Sequence, residues 1–265
     1  MNTTDSQSAP QTNVDPRSGW GADEASCLRA ARTLTDPAQL TKMVEDLIAG
    51  EVFDDGVIAG ELLFNQKVPF EAACRLAEHW RGVNDFSYQL CGRPDATPEV
   101  LDSWSDHYDS SVKVEVAANP NTSVETLKKM SRKEDPQVVA CVITNPRFPQ
   151  ELVGTFSDGP PVVRRAVAAR IEDLWILEKL AFDEDSIVRR KVMENPRTPA
   201  ALANRVARTD KDMTVVAKAA AKVDDTALLD ELAEKMTPHD SDLIKAILAN
   251  PHSSDIAKTV AVLMR

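Results

Sequence analysis

The chain has 265 residues, 43% of them apolar but only 5% aromatic, and a formal net charge of −11 at pH 7. No apolar run approaches the roughly 20 residues needed to cross a bilayer, and the first residues carry no basic and apolar export signal. We therefore expect a cytoplasmic protein without a membrane partner. The acidic balance makes nucleic acid an unlikely ligand, because phosphate backbones attract basic surfaces.

The N-terminal stretch differs in composition from the rest of the chain. Residues 1–22 are rich in Ser, Thr, Asn, Gln, Asp, Pro and Gly, which is typical of a disordered polar tail. Trp20 is the one large apolar side chain near its end, and we expect it to be exposed to solvent.

Residues 23–92 are predicted to form degenerate helical repeats. A first helix is expected over 22–32, and Asp36-Pro37 begins a second one, with Asp as the cap and Pro in the first turn. Residues 57–65 form a short apolar helix that ends at Asn65, and a helix is predicted over 70–80.

From residue 93 a period becomes regular, and residues 93–265 are predicted to form regular repeats. Each copy is a short apolar helix that runs into Asn-Pro and then into a second helix. The copies end at Arg93-Pro94, Asn119-Pro120, Asn145-Pro146, an eroded site near Arg170, Asn195-Pro196, an eroded site near Lys222, and Asn250-Pro251.

The Asn-Pro step has a physical reason. Proline disfavours helical geometry in the residue before it, so each short helix must end there. The last carbonyls of a helix have no partner within it. We therefore predict that four repeat anchors are buried and bond backbone groups at the repeat junctions: Asn119, Asn145, Asn195 and Asn250. The Thr of Thr97-Pro98 and of Thr198-Pro199 is expected to cap the following helix.

The phrase formed by Val188-Arg189-Arg190, Asn195-Pro196-Arg197-Thr198-Pro199 and the following Leu202 resembles the leucine-rich repeat variant family. The resemblance covers about 93–265. It implies an all-α fold without β-sheet, in which α-helices alternate with short 3₁₀-helices in a right-handed superhelix. We expect a right-handed α-solenoid of about eight repeats of 24–29 residues. HEAT-like repeats are the alternative architecture, although their usual repeat is longer.

The founding member of that family carries an iron–sulfur cluster on an N-terminal Cys-rich segment. Here only Cys27 precedes Cys74, and the four cysteines have no metal-binding spacing. The four histidines form no HExxH motif, and there is neither a nucleophile elbow nor a Gly-rich phosphate loop. We therefore expect no catalytic residues, no metal and no cofactor, which means that the protein is not an enzyme.

A basic set in the middle repeats is the candidate partner-binding site. It consists of Arg164, Arg165, Arg189, Arg190 and Lys191. The two Arg pairs are one period apart and should lie on adjacent helices, with Arg165 and Arg190 exposed. Such a row could bind an acidic peptide through bidentate contacts. Alternatively, Glu172, Asp173 and Glu194 could neutralise it.

These features lead to two functional hypotheses. The first is a non-catalytic scaffold that binds a protein or peptide on the curved face of the repeats. The alternative is a HEAT-like nucleic-acid-binding protein, including one that acts on DNA, which uses the basic middle repeats. The apolar C-terminal stretch 256–265 additionally suggests self-association through the last repeat.

Overall fold

The computed structural model describes residues 20, 24–50, 56–80, 86–132 and 135–265. In these residues helices are the only regular elements, and no β-strand is present. Contacts divide the chain into two compact units, residues 1–121 and 122–265. The boundary between the units at residue 121 differs from the division predicted at residue 92. That division separates irregular from regular repeats in the sequence, and it stays a prediction. The predicted tail lies outside the described residues apart from Trp20.

Unit 1 contains seven helices in its described residues. They are α1 (Glu24–Thr33), α2 (Pro37–Ile48), α3 (Val57–Phe64), α4 (Phe70–His79), α5 (Ser87–Cys91), α6 (Pro98–Trp104) and α7 (Ser110–Ala118).

Unit 2 contains eleven α-helices in its described residues. They are α8 (Val124–Met130), α9 (Pro136–Thr144), α10 (Gln150–Val153), α11 (Pro161–Arg170), α12 (Leu174–Leu180), α13 (Ser186–Glu194), α14 (Ala200–Thr209), α15 (Met213–Ala220), α16 (Thr226–Lys235), α17 (Ser241–Ala249) and α18 (Asp255–Leu263). A 3₁₀ turn, Gly154–Phe156, extends α10.

Within each unit the odd-numbered helices from α1 to α17 pack against one another in sequence order, and we call them layer A. Thus α9, α11, α13, α15 and α17 form successive neighbours in unit 2. The even-numbered helices form layer B and connect consecutive members of layer A. The described residues therefore form a repeat solenoid fold in each unit, as expected. The helices of both layers are α-helical, and the 3₁₀ element of the described residues is Gly154–Phe156, whereas the family resemblance implies α-helices that alternate with 3₁₀-helices.

Buried side chains between the two layers are mostly small or aliphatic. In α13, Val188, Val192 and Met193 are buried, and in α14 Leu202 and Val206 are buried. Val188 and Val192 are four residues apart, as are Leu202 and Val206, so each pair lies on one face of its helix. None of the described helices is long and apolar enough to cross a membrane.

Acidic side chains begin many of the layer A helices, as the turn sequences indicate. Asp135 accepts a hydrogen bond from the backbone N–H of Gln137, and Asp185 accepts one from Val188. Each carboxylate pairs an otherwise unbonded N–H group at the positive end of the helix dipole.

One cap prediction is wrong. Thr97 caps α6 as expected, but Thr198 is buried and its hydroxyl donates to the carbonyl of Val192. Helix α14 instead starts at Ala200 after Pro199, without a side-chain cap. Ser253 repeats the arrangement by donating to the carbonyl of Ile247. At this position of the repeat, the hydroxyl group therefore donates to an unpaired carbonyl near the end of the layer A helix.

The expected exposure of Trp20 is also wrong. Its indole N–H donates to the Asp46 carboxylate at 2.8 Å, and its ring packs against the apolar core of unit 1. Asp46 also accepts from Lys42, one turn earlier on α2. A buried carboxylate needs such partners, and this requirement accounts for the position of Trp20 on the body of the unit.

Candidate binding face on the layer A helices

The four predicted anchor asparagines occupy the ends of layer A helices, and all are buried. The amide of Asn195 donates to the carbonyls of Ala168 and Ile171 at 2.8 and 2.9 Å. Its own carbonyl accepts from the backbone N–H of Arg197. Asn119 and Asn250 bond the preceding repeat in the same way. Asn145 is buried and accepts from Arg147.

The eroded repeats place a cation where the others have asparagine. Arg170 donates to the carbonyls of Ile143, Asn145 and Phe148, and Lys222 donates to that of Asn195. Burial lowers the pKa of both side chains from its ordinary value. These cations are directed at helix C-terminal carbonyls, where the dipole is negative.

Unit 1 shows both kinds of anchor. Asn65 donates to the carbonyls of Ala31 and Leu34, and Arg93 donates to the carbonyl of Val68 while it is held by Asp95. A donor thus marks the end of each layer A helix from α3 to α17. The anchors provide a common reference from which equivalent surface positions can be counted.

Two residues of the predicted basic set link neighbouring repeats. Arg164 on α11 makes a bidentate contact with Asp183, at 2.7 and 2.8 Å, in the turn before α13. Arg189 on α13 makes the same contact with Asp210, at 2.6 and 2.9 Å, in the turn before α15. The Arg side chains are only 14% and 17% exposed. Both guanidinium groups are therefore occupied within unit 2.

Arg165 and Arg190 were expected to be exposed, but both are half-buried. Arg165 bonds Asp185 at 2.5 Å, and this bond holds the pKa of that carboxyl below its usual range. The Nε atom of Arg190 is buried without a hydrogen-bond partner. Two of the three acids that were expected to neutralise the basic set have other partners: Glu172 pairs with Arg197, and Asp173 caps α12.

Glu194, the third expected neutraliser, does pair with the basic set. Lys191 contacts it at 2.9 Å, and Lys218 from α15 approaches it at 3.6 Å. Burial alone would raise the pKa of Glu194, but the Lys191 hydrogen bond and the charges of Lys191, Lys218 and Arg190 leave it below its ordinary value. One carboxylate therefore lies among three cations.

Counting from the anchors reveals two cations that the sequence analysis missed. Lys218 lies four residues before Lys222, and Lys245 lies five residues before Asn250. Both side chains are about half exposed or more, at 49% and 74%. The offset from the anchor would have identified them in the sequence, because Arg165, Arg190 and Lys191 have the same four- or five-residue offset.

We call this surface the basic face, and it consists of Arg165, Arg190, Lys191, Lys218 and Lys245 on four successive layer A helices. The residues just before the anchors are exposed alanines, Ala169, Ala221 and Ala249, except for Glu194 on α13. Lys218 and Lys245 are exposed on this side, whereas Arg165, Arg190 and Lys191 are half-buried.

The cysteines, histidines and carboxylates of the described residues are the side chains that could bind a metal ion. Among the described residues, no group of three or more His, Cys, Asp and Glu side chains could hold a metal ion. Cys27 and Cys91 are buried, Cys74 and Cys141 are half-buried, and none of the four is in a disulfide.

The last repeat leaves apolar side chains on its surface. Ile256, Val262 and Leu263 of α18 are 69%, 61% and 79% exposed. A cavity beside α17 is lined by Pro238, Ile244, Leu248 and Met264.

Comparison with known proteins gives a limited result. No protein-family model matches the sequence, and no curated protein matches it either. The chain is similar to the solved structure of a leucine-rich repeat variant with a novel repetitive protein structural motif. The two are 23% identical over 75% of this chain and 83% of that chain, with a TM-score of 0.49. The resemblance seen in the sequence is thus accompanied by a structural similarity to a protein of that description.

Proposed function

We propose that the protein is a non-catalytic repeat scaffold whose basic face binds an acidic segment of another protein. The observation that carries this proposal is the row of cations at equivalent positions of α11, α13, α15 and α17. Unit 2 contains as many acidic as basic residues, 22 of each. The basic character of this face therefore comes from the placement of the charges and not from an excess of Lys and Arg.

The pairing within the face indicates how a partner would bind. Glu194 lies between Lys191 and Lys218 and near Arg190, whose Nε has no partner. A carboxylate of the partner would contact the same cations from the solvent side. Arg190 would offer a planar pair of donors, which suits carboxylate recognition.

Charge also favours an acidic protein segment over nucleic acid. The whole chain has a net charge of −11, which repels a long phosphate backbone. A short acidic segment would contact only the basic face. No described cluster provides the acid, base and nucleophile that catalysis requires, so we propose binding without chemistry.

A peptide display selection tests this proposal. The full chain is the bait, and binders are subtracted on a variant that carries Lys191→Glu and Lys218→Glu. We expect the peptides that require the two lysines to be rich in Asp and Glu, with affinities that fall as salt is raised. The matched control is Lys128→Glu with Lys129→Glu on layer B, which should retain the same peptides. A pool without acidic enrichment would refute the proposal.

A further inference from the structure

The layer A helices of unit 1 present different chemistry at the positions that form the basic face in unit 2. Phe64 lies one residue before the anchor Asn65, and Tyr88 lies five residues before the anchor Arg93. Their exposed fractions are 68% and 47%. Scattered exposed apolar residues are ordinary, but Tyr88 has the five-residue offset of the basic face, and Phe64 has the offset of the exposed alanines beside it.

Glycines lie beside both aromatic side chains. Gly92, at the end of α5, lies one residue before its anchor, as Phe64 does on α3. Gly60 on α3 lies five residues before its anchor, as Tyr88 does on α5. A Cβ atom at Gly60 would meet only the ring edge of Phe86, at 3.8 Å. Because α3 and α5 pack together in layer A, each aromatic ring adjoins a position without a side chain. Large side chains and glycines therefore alternate along the two helices.

Carboxylates lie beside both glycines. Glu115 of α7 reaches across to α5, because its Oε2 would lie 3.1 Å from a Cβ atom at Gly92. It also accepts a hydrogen bond from the Tyr88 hydroxyl, and this bond raises the pKa of Tyr88. Glu61 lies on α3 four residues before the anchor and pairs with Arg32 of α1 at 2.6 Å. We call Gly60, Glu61, Phe64, Tyr88, Gly92 and Glu115 the aromatic face.

The charge of unit 1 indicates the sign of its partner. Residues 1–121 contain 20 acidic and 9 basic residues, which accounts for the entire net charge of −11. A second acidic surface would be repelled by this unit, whereas a basic segment would be attracted. Aromatic residues are also the side chains most enriched at the centres of protein interfaces.

We propose that the aromatic face binds a basic segment of another protein that carries large apolar side chains. The apolar side chains of the segment pack against the Phe64 and Tyr88 rings and over the backbone at Gly60. Its Lys or Arg side chains pair with Glu115 and Glu61. This site is separate from the basic face and selects a partner of the opposite charge, so the two proposals succeed or fail independently.

A second subtractive display selection tests this inference with the full chain as bait. Binders are removed on a variant that carries Phe64→Ser and Tyr88→Ser, with circular dichroism and thermal melting to verify its fold. We expect the remaining peptides to be net positive and to contain aromatic or aliphatic residues. A representative peptide should lose at least tenfold in affinity on the double variant and several-fold on Glu115→Gln. Tyr108→Ser is the matched control, since Tyr108 is 84% exposed on the turn before α7, and it should leave the affinity unchanged.

Gly60→Leu provides a second test that does not depend on the double variant being folded. Leucine has a higher helix propensity than glycine, and a Cβ atom at this position would meet Phe86 at an ordinary van der Waals distance. The variant should therefore fold while its side chain covers the surface at Gly60. Loss of the selected peptides on Gly60→Leu is the expected result. The inference is overturned if no peptide depends on Phe64 and Tyr88, if the dependent peptides are neutral or acidic, or if Gly60→Leu binds them at full affinity.

Discussion

Arg170 and Asn195 occupy equivalent positions in consecutive repeats, and both donate hydrogen bonds to carbonyls at the end of the preceding layer A helix. Arg170 reaches Ile143 and Asn145, whereas Asn195 reaches Ala168 and Ile171. The repeat therefore conserves a donor at this position rather than one residue type. Helix C-terminal carbonyls lack partners within their own helix, which explains why each junction requires such a donor.

The Asn195 anchor should be important for stability. Asn195→Ala leaves the carbonyls of Ala168 and Ile171 buried without their donor, and we expect a loss of about 1–3 kcal/mol in the free energy of unfolding. Urea denaturation measures this change. Asn204→Ala is the control, because Asn204 bonds Asp224 at an exposed site, and it should cost less than about 0.5 kcal/mol. Equal effects of the two changes would contradict the anchor role.

The cationic anchor Arg170 should behave similarly. Arg170→Met keeps most of the apolar stem but removes the donors to three carbonyls, and we expect destabilisation of about 1.5–3 kcal/mol. Arg197→Met is the matched control, since Arg197 is 61% exposed and pairs with Glu172 at 3.4 Å. Exposed pairs of this kind contribute about 0–1 kcal/mol. If Arg170→Met is no more destabilising than the control, the proposed equivalence with asparagine is wrong.

The Arg165–Asp185 pair predicts a dependence of stability on pH. The hydrogen bond from Arg165 lowers the folded-state pKa of Asp185. Its stabilisation is therefore present above the ordinary Asp pKa of about 3.9 and is lost as the pH falls through the lowered value. We expect Arg165→Gln to be less stable than the unchanged chain at pH 7, with the difference shrinking below about pH 3.9. A difference that stays constant down to pH 2.5 would exclude this linkage.

Self-association through the last repeat remains a hypothesis. Exposed Val262 and Leu263 could pack against a second copy, so light scattering should show a mass that rises with protein concentration. Val262→Ser with Leu263→Ser should abolish this rise, whereas Leu174→Ser with Trp175→Ser, at an equally exposed apolar pair on α12, should not. A strictly monomeric mass for the unchanged chain at high concentration would exclude the hypothesis.

The positions of the anchors could be predicted from the sequence more accurately than the partners of the surface side chains. Asn-Pro steps and Asp caps are local signals, and they located helix ends such as Ala118 and Glu194 to within a residue or two. The partners of Arg164 and Arg189 depend on which turn of the next repeat approaches each helix. Because the repeats differ in length, the sequence does not show which turn residues face which helix, and Asp183 and Asp210 were not predicted as these partners. Trp20 was misjudged because the buried carboxylate of Asp46 lies 26 residues away.

Site-specific photo-crosslinking in the native cell tests the central claim, which is that the basic face binds an acidic protein segment. The crosslinking amino acid replaces Ala221, which is exposed beside the cations, and in a matched control it replaces Glu234, which is exposed on layer B. We predict that crosslinks from position 221 fall in Asp- and Glu-rich segments of a partner and disappear with Lys191→Glu and Lys218→Glu. Crosslinks that are equal from both positions, or that persist after the charge reversal, would contradict the account.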